Sequence, residues 1–315
     1  MLNLQQMKTF LAVTKYGSFT RAAHEMNLTQ PAVSGHIAAL EEEFGMPLFN
    51  RTGRKVVLTD AGEILIRGAR DIFYRVDDLK RELADLRALR GGMIRIGASK
   101  IVGVYILPKI MMAFRDEFPD IELQISIHSA HTIVAQVEDN AYDLAIVGEG
   151  EQIVSPNVGA KVIGEDKFVV VTSPEHPLVQ KSLVTVEELT NESFILSGRL
   201  TASLINLRSQ LADIGLSLKS SIEMDEAGAI KRAVEEGAGL AIISRSVVER
   251  ELEQGRLREL HLDAPPLKRH ILMLWRHDRR FSKNTEAFMR FLQKAFDANS
   301  TTFLRDAPMI NHKNT

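Results

Sequence analysis

The spacing of hydrophobic positions changes along the chain, and each change marks a different kind of element. Leu4, Met7, Phe10 and Leu11 recur at helical spacing. Gly17 stops that helix, and Ser18 can N-cap a second one that buries Phe19, Ala22, Ala23 and Met26 and ends at Asn27. Thr29 caps a third helix, with Gln30 and Pro31 in its first turn, where proline is tolerated. There Val33, Ile37, Leu40 and Phe44 form one buried stripe, and Gly45 terminates it. The run Leu48 to Leu58 reads as two short apolar strands around a polar turn containing Gly53.

From Thr59 the period shifts again. Thr59 N-caps a long helix, with Asp60 and Glu63 in its first turns. Leu65, Ala69, Ile72, Val76, Leu79, Leu83 and Leu86 recur at a steady 3.5-residue average, which Arg90 breaks. A helix packed on a globular core drifts toward a 3.6 period, so this spacing predicts a two-stranded coiled coil and a homodimer. A single helix lying on the body is the plainer alternative.

Gly91-Gly92 then reads as a hinge, and the pattern becomes strands alternating with helices. Strands are predicted at 93–98, 121–127, 143–147, 168–172, 194–196, 240–244 and 270–275. Helices are predicted at 103–117, 132–140, 186–190, 202–214, 227–236, 246–254 and 283–298. Such alternation, with β-branched strands, implies parallel sheets covered on both faces. The strands are too many for one flavodoxin-like sheet, and two lobes fit better. The expected boundaries are 1–58 for the head, 59–90 for the linker helix and 91–298 for the body. Within the body, lobe 1 takes about 91–164 plus 268–298 and lobe 2 about 165–267. The polar tail 299–315 is expected to be disordered.

Composition narrows the class. The chain has 315 residues, enough for two or three domains, and 45% of them are hydrophobic. It has no cysteine, which removes disulfides, a thiol nucleophile and Cys-ligated metal from consideration. Net charge is −2, so a uniformly basic nucleic-acid coat is excluded. The first 59 residues nevertheless carry six basic side chains against four acidic ones, while the remainder is net acidic. No membrane span or signal peptide is expected, and the expected location is the cytoplasm.

The head is a candidate helix–turn–helix. With Val33, Ile37 and Leu40 inward, Gln30, Pro31, Ser34 and His36 can reach base edges in a major groove, which admits one α-helix. Ser18 and Thr29, the caps of the two helices, join the candidate DNA-facing set. The turn between the strands offers Arg51, Thr52, Arg54 and Lys55 to phosphates, which give affinity rather than sequence choice. A plain packing unit with a solvated turn is the alternative reading.

These residues carry a specific resemblance. Phe10, Gly17-Ser18-Phe19, Ala22-Ala23, Thr29 to Ser34, Ile37, Leu40-Glu41, Gly45, Pro47-Leu48-Phe49, Arg51 and Leu58 to Gly62 resemble the head of the LysR-type transcriptional regulators. The likeness continues to about residue 297. Glu226 to Lys231 and Gly239 to Ile242 place it nearest the branch that answers to sulfur metabolites or carbon-fixation intermediates. The resemblance implies an α+β winged helix–turn–helix DNA-binding domain, a long coiled-coil linker helix and a two-lobed α/β, periplasmic-binding-protein-like effector domain. It also implies promoter DNA as partner, tetramers built from two dimers, and contact with RNA polymerase. One departure is plain: Gly35, Ala38 and Ala39 stand where many members carry basic residues, which shifts non-specific affinity onto the wing.

In open α/β lobes a ligand sits at the carboxyl ends of strands, against helix N-termini. The loops there offer Ser99, Lys100, Ile101 and Val102, then Ser129, His131 and Thr132, then Ser197, Arg199 and Thr201. Their hydroxyls and cations would favour a small anion, and the resemblance places an inducer pocket between the lobes at these loops. Helix capping and solvated charge is the bland reading. The stretch Ser197-Gly198-Arg199-Leu200-Thr201 departs from the Gly/Ser/Thr-rich turn of many members. His128 and His131 lack the company a metal site needs, and no P-loop, nucleophile elbow or dinucleotide fingerprint is present. No cofactor, metal or catalytic residue is therefore expected. A cytoplasmic solute-binding protein or a doubly wound enzyme with a non-regulatory head is the rival reading.

Overall fold

The computed structural model describes residues 2–52, 55–87, 92–149, 155, 157–197, 202–279 and 281–303. The chain divides into two compact units, Met1–Leu89 with Asp139–Ala141, and Arg90–Glu138 with Tyr142–Thr315.

The first unit opens with three helices, α1 (Leu4–Tyr16), α2 (Phe19–Glu25) and α3 (Gln30–Phe44). Each starts on a side-chain cap: Asn3 accepts from Gln5 N, Ser18 from Arg21 N and Thr29 from Ala32 N. Gly17 and Gly45 end α1 and α3 in the left-handed conformation, at φ 61° and 66°. Met7, Phe10, Val13, Ala22, Ala23, Val33, Ile37 and Leu40 close the core between them. The hairpin β1 (Phe49–Thr52) and β2 (Lys55–Leu58) is antiparallel and packs Phe49 against Phe10, ring centroids 5.2 Å apart.

Helix α4 (Asp60–Arg87) begins at Thr59, whose hydroxyl accepts from Gly62 N at 3.1 Å and donates to Pro47 O at 2.6 Å. Gly62 is required by that close approach, since a Cβ there would lie 2.3 Å from Leu48 O. The start of the heptad belongs to the head itself. Ala69 is fully buried with Ile66, which takes Ala69 out of the expected seam, while the half-buried Leu65 and Phe73 pack against the same core. Farther along, Ile72, Leu79 and Leu83 are exposed on the single chain, Val76 is half-buried, and the Leu86 side chain lies outside the described residues.

The second unit is built on a seven-stranded sheet. It comprises β3 (Gly92–Ser99), β4 (Ile121–His128), β5 (Leu144–Gly148), β6 (Val158–Thr172), β9 (Ala241–Ser244), β10 (Arg258–Leu260) and β11 (Lys268–Arg276). Its order is β10-β6-β11-β5-β3-β4, with β9 also paired to β6. A separate parallel pair joins β7 (Ser193–Ser197) and β8 (Lys219–Met224). The expectation of parallel sheets is corrected here. β3 runs parallel to β4 and β5, but β11 is antiparallel to β5 and β6, and β6 is antiparallel to β9 and β10. The long strands β6 and β11 cross from one lobe to the other side by side, and only opposite directions let them do so.

Two sets of cores define the lobes. In lobe 1, Ile94, Ile96, Leu144, Ile146 and Ile163 pack with Ile271, Phe288 and Leu292 under α5 (Leu107–Glu117) and α11 (Lys283–Phe303). On the other face α6 (Ala130–Glu138) buries Ile133 and Val137. In lobe 2, β6 sends Val170 to one cluster and Val169 and Val171 to another, the period-two alternation of a strand covered on both sides. The helices α7 (Val186–Thr190), α8 (Ala202–Asp213), α9 (Ala227–Glu235) and α10 (Arg245–Glu253) complete it.

Further differences concern extent. β6 starts ten residues earlier than expected, because Val158–Lys167 is rich in glycine and charge. β8 and β10 are polar strands that carry too little hydrophobic alternation to announce them. The helix expected at 103–117 opens with a π-helical turn, Val102–Ile106. α11 runs through Asn299 to Phe303, so the start of the expected disordered tail is helical, with no proline before Pro308 to stop it. Residues 304–315 lie outside the described residues. No helix among the described residues is long and apolar enough to cross a membrane.

Candidate functional site: a nucleic-acid reading head and a cleft between lobes

The exposed face of α3 carries the candidate base-reading groups. Gln30 Nε2 donates to Ser34 Oγ at 3.0 Å, so the two polar side chains share one face, one turn apart. Pro31, Gly35 and Ala38 are also exposed, and a Cβ built on Gly35 meets nothing within 4 Å. His36 is set apart from this group: its Nδ1 lies 2.8 Å from Thr9 Oγ1, which ties the half-buried ring back to α1. Ser18 and Thr29 spend their hydroxyls on capping. Arg51, Thr52 and Lys55 lie on the hairpin strands that flank the turn. Their side chains, and the whole of Arg54, lie outside the described residues. Sequence reasoning overlooked a basic pair at the α1–α2 corner. Lys15 Nζ is 5.2 Å and Arg21 Cζ 5.6 Å from the centre of the Tyr16 ring.

In the second unit, the carboxyl ends of β3 and β4 hold most of the candidate cleft residues. Ser99 Oγ accepts from Gly148 N at 3.2 Å, fastening the ends of β3 and β5 together. Lys100 bonds to Glu226, which stands just before α9 in lobe 2. Ile101 packs on a lobe 2 core cluster, but Val102 is fully buried in the lobe 1 core, so it does not line a cleft. Ser129 Oγ is 2.8 Å from Thr132 Oγ1 and accepts from Thr132 N at 3.2 Å, which makes it the cap of α6. His131 is exposed in the first turn of that helix. Ser197 is half-buried opposite Met224. Arg199 and Thr201 lie outside the described residues.

The crossing strands hold a charged group that the sequence did not single out. Asp166 and Arg269 form a buried ion pair, and Ser244 and Ser246 donate to the same aspartate. Beside it, His270 Nδ1 lies 2.7 Å from Glu149 Oε2, and Lys268 Nζ 2.7 Å from Glu165 Oε1. The two halves of this group are about a hundred residues apart in sequence, so only strand pairing brings them together. In lobe 2, burial pushes the Glu251 carboxyl up, but the Lys231 hydrogen bond and the Lys231 and Arg256 charges outweigh it and hold the carboxyl below its ordinary range. In lobe 1, burial pulls the Arg279 guanidinium down to about 9, where it bonds Asp143 and donates to Tyr142 O. No cluster of potential metal ligands occurs among the described residues.

A winged helix–turn–helix joined to a two-lobed α/β body is the build of a ligand-responsive, DNA-binding regulator. Residues 4–63 match the family described as "Bacterial regulatory helix-turn-helix protein, lysR family", and residues 87–297 match "LysR substrate binding domain". The chain therefore belongs to the LysR family of bacterial transcriptional regulators. It is 30% identical over 291 residues to the RuBisCO operon transcriptional regulator of Allochromatium vinosum, covering 92% of this chain and 95% of that one. It is 33% identical over 293 residues to the HTH-type transcriptional regulator CbbR of Rhodospirillum rubrum, covering 93% and 96%. These relatives fall in the carbon-fixation branch, and they are regulators rather than enzymes. Among solved structures, full-length OxyR from Pseudomonas aeruginosa superposes with a TM-score of 0.71 at 20% identity, covering 94% of this chain and 95% of that one. Full-length CbnR complexed with its target DNA gives 0.70 at 16%, covering 93% and 100%. The regulatory domain of CcmR from Synechocystis, in complex with 2-PG, gives 0.57 at 22%, covering 65% and 97%.

Proposed function

We propose that this protein regulates genes of carbon assimilation, and that a small anion bound between its lobes sets the reach of paired reading heads. The observation that carries the reading is the Gln30–Ser34 pair on the exposed face of α3, in a chain whose other unit is a two-lobed ligand domain. Gln30 and Ser34 read base edges; Thr29 and Pro31 lie at the same end of α3, and Ser18 lies at the start of α2. Arg51, Thr52, Arg54 and Lys55 of the wing, with Lys15 and Arg21, meet phosphates.

The exposed stripe Ile72, Leu79 and Leu83, with Val76, pairs two chains through α4. Two heads then face successive major grooves, ~34 Å or a multiple apart. Two such dimers make a tetramer on the promoter, in the cytoplasm, within reach of RNA polymerase. The anion class is supported by Lys100 and Ser99 at the carboxyl end of β3, by Ser129 after β4 and Thr132 in the first turn of α6, and by Ser197 at the end of β7 in lobe 2. Arg199, Thr201 and His131 are the further candidates. The names of the relatives and the 2-PG complex of CcmR support the metabolite class.

The test is a gel shift of the full chain on its own upstream region, with and without phosphorylated and carboxylic small anions. Retention that falls steeply with salt, and an anion-dependent change in mobility, are expected. Turnover of a metabolite without DNA retention would overturn the reading.

A further inference from the structure

We infer that Lys100 and Glu226 form a releasable latch, in which a carboxylate of lobe 2 occupies the lobe 1 cation that an anionic effector must take. The inference rests on the proposed anion site between the lobes. Lys100 directly follows β3 in lobe 1, and Glu226 directly precedes α9 in lobe 2, so their ion pair joins the lobes. Glu226 occupies the N-cap position of α9, yet its side chain makes no capping hydrogen bond and reaches Lys100 instead. The lobes already touch beside this pair. Ile101 and Tyr105 pack on the lobe 2 core, and Lys231 Nζ lies 5.6 Å from the centre of the Tyr105 ring.

Exposure decides what such a pair can do. The Lys100 and Glu226 side chains are 57% and 53% exposed, whereas those of Arg269 and Asp166 are 4% and 3% exposed. The buried pair is a fixed part of the crossing strands. The exposed one is weak and open to competition from solution. An arriving carboxylate or phosphate offers Lys100 the same chemistry as Glu226, and it binds only in the unlatched arrangement. The apparent affinity is reduced by the fraction of molecules unlatched, and the anion shifts the equilibrium because it favours one arrangement.

The test uses thermal unfolding of the full chain, titrated with 2-phosphoglycolate and with inorganic phosphate. Glu226→Gln removes the competing charge with little change of shape, and Lys100→Gln removes the cation. Both side chains are exposed, so without anion both variants should unfold near the wild-type midpoint. Glu226→Gln should lower the half-saturating anion concentration about two- to fivefold, the range an exposed pair can supply. Lys100→Gln should raise it about tenfold or more. Wild-type binding that Glu226→Gln leaves unchanged or weakens would overturn the latch and leave the anion site standing. Binding of neither probe, by wild type or by Glu226→Gln, would overturn the anion site and the latch together.

Discussion

Arg269 Nη2 and Nε lie 2.7 Å and 3.1 Å from the same carboxylate oxygen of Asp166, directly opposite in the antiparallel pairing of β11 with β6. The other carboxylate oxygen accepts from Ser244 Oγ at 2.9 Å and Ser246 Oγ at 2.8 Å. The aspartate thus joins both crossing strands to the start of α10. Removing one partner leaves a buried charge without its counterpart. Asp166→Ala should destabilise the body by about 3–5 kcal/mol, read by urea unfolding. The double variant Asp166→Leu with Arg269→Met should recover most of that loss. Equal losses in single and double variants would show that packing, not charge, is at stake.

Gln30 and Ser34 present hydrogen-bonding groups from neighbouring turns of α3. Gln30→Ala should relax sequence choice at one operator position, at roughly 1–3 kcal/mol of discrimination. Selection from a randomised site measures this, and an unchanged preference would take Gln30 out of base reading.

Gly35 is exposed, helical and open around its absent side chain. Gly35→Arg should therefore fold well and gain up to about 1 kcal/mol of helix stability. It should also add a phosphate contact, steepening the slope of log affinity against log salt by about one. An unchanged slope in salt-titrated binding would place that face of α3 away from the duplex.

Leu79 is 55% exposed and Leu83 54% exposed on α4, far too open for leucines of a monomer's core. Leu79→Lys puts a charge into the proposed seam and should yield monomers by light scattering. A persistent dimer would move the pairing surface elsewhere.

The head was readable from sequence because its signals are local. Ser18, Thr29 and Thr59 cap the helices they precede, Gly17 and Gly45 end theirs, and Val33, Ile37 and Leu40 form the buried stripe. Where the reading failed, the cause was a partner distant in sequence. Ala69 satisfies the heptad rule, yet it is consumed by the head's own core. Val102 follows a strand end as a ligand residue would, yet its side chain turns into lobe 1. The contact of His36 Nδ1 with Thr9 of α1, 27 residues earlier, is likewise invisible to local spacing. The Asp166–Arg269 pair depends on a β6–β11 register that no periodicity announces. Glu226 and Lys100 are 126 residues apart, and only the fold places the two side chains within reach of each other.

On the proposed function, one chain couples a pair of sequence-reading heads to a metabolite cleft. Footprinting of the purified full chain over its own upstream region, with and without 2-phosphoglycolate, tests it most directly. Two protected half-sites whose centres lie ~34 Å or a multiple apart are expected, with the pattern altered by the anion. An absence of protected bases at every ionic strength, with or without the anion, would contradict it.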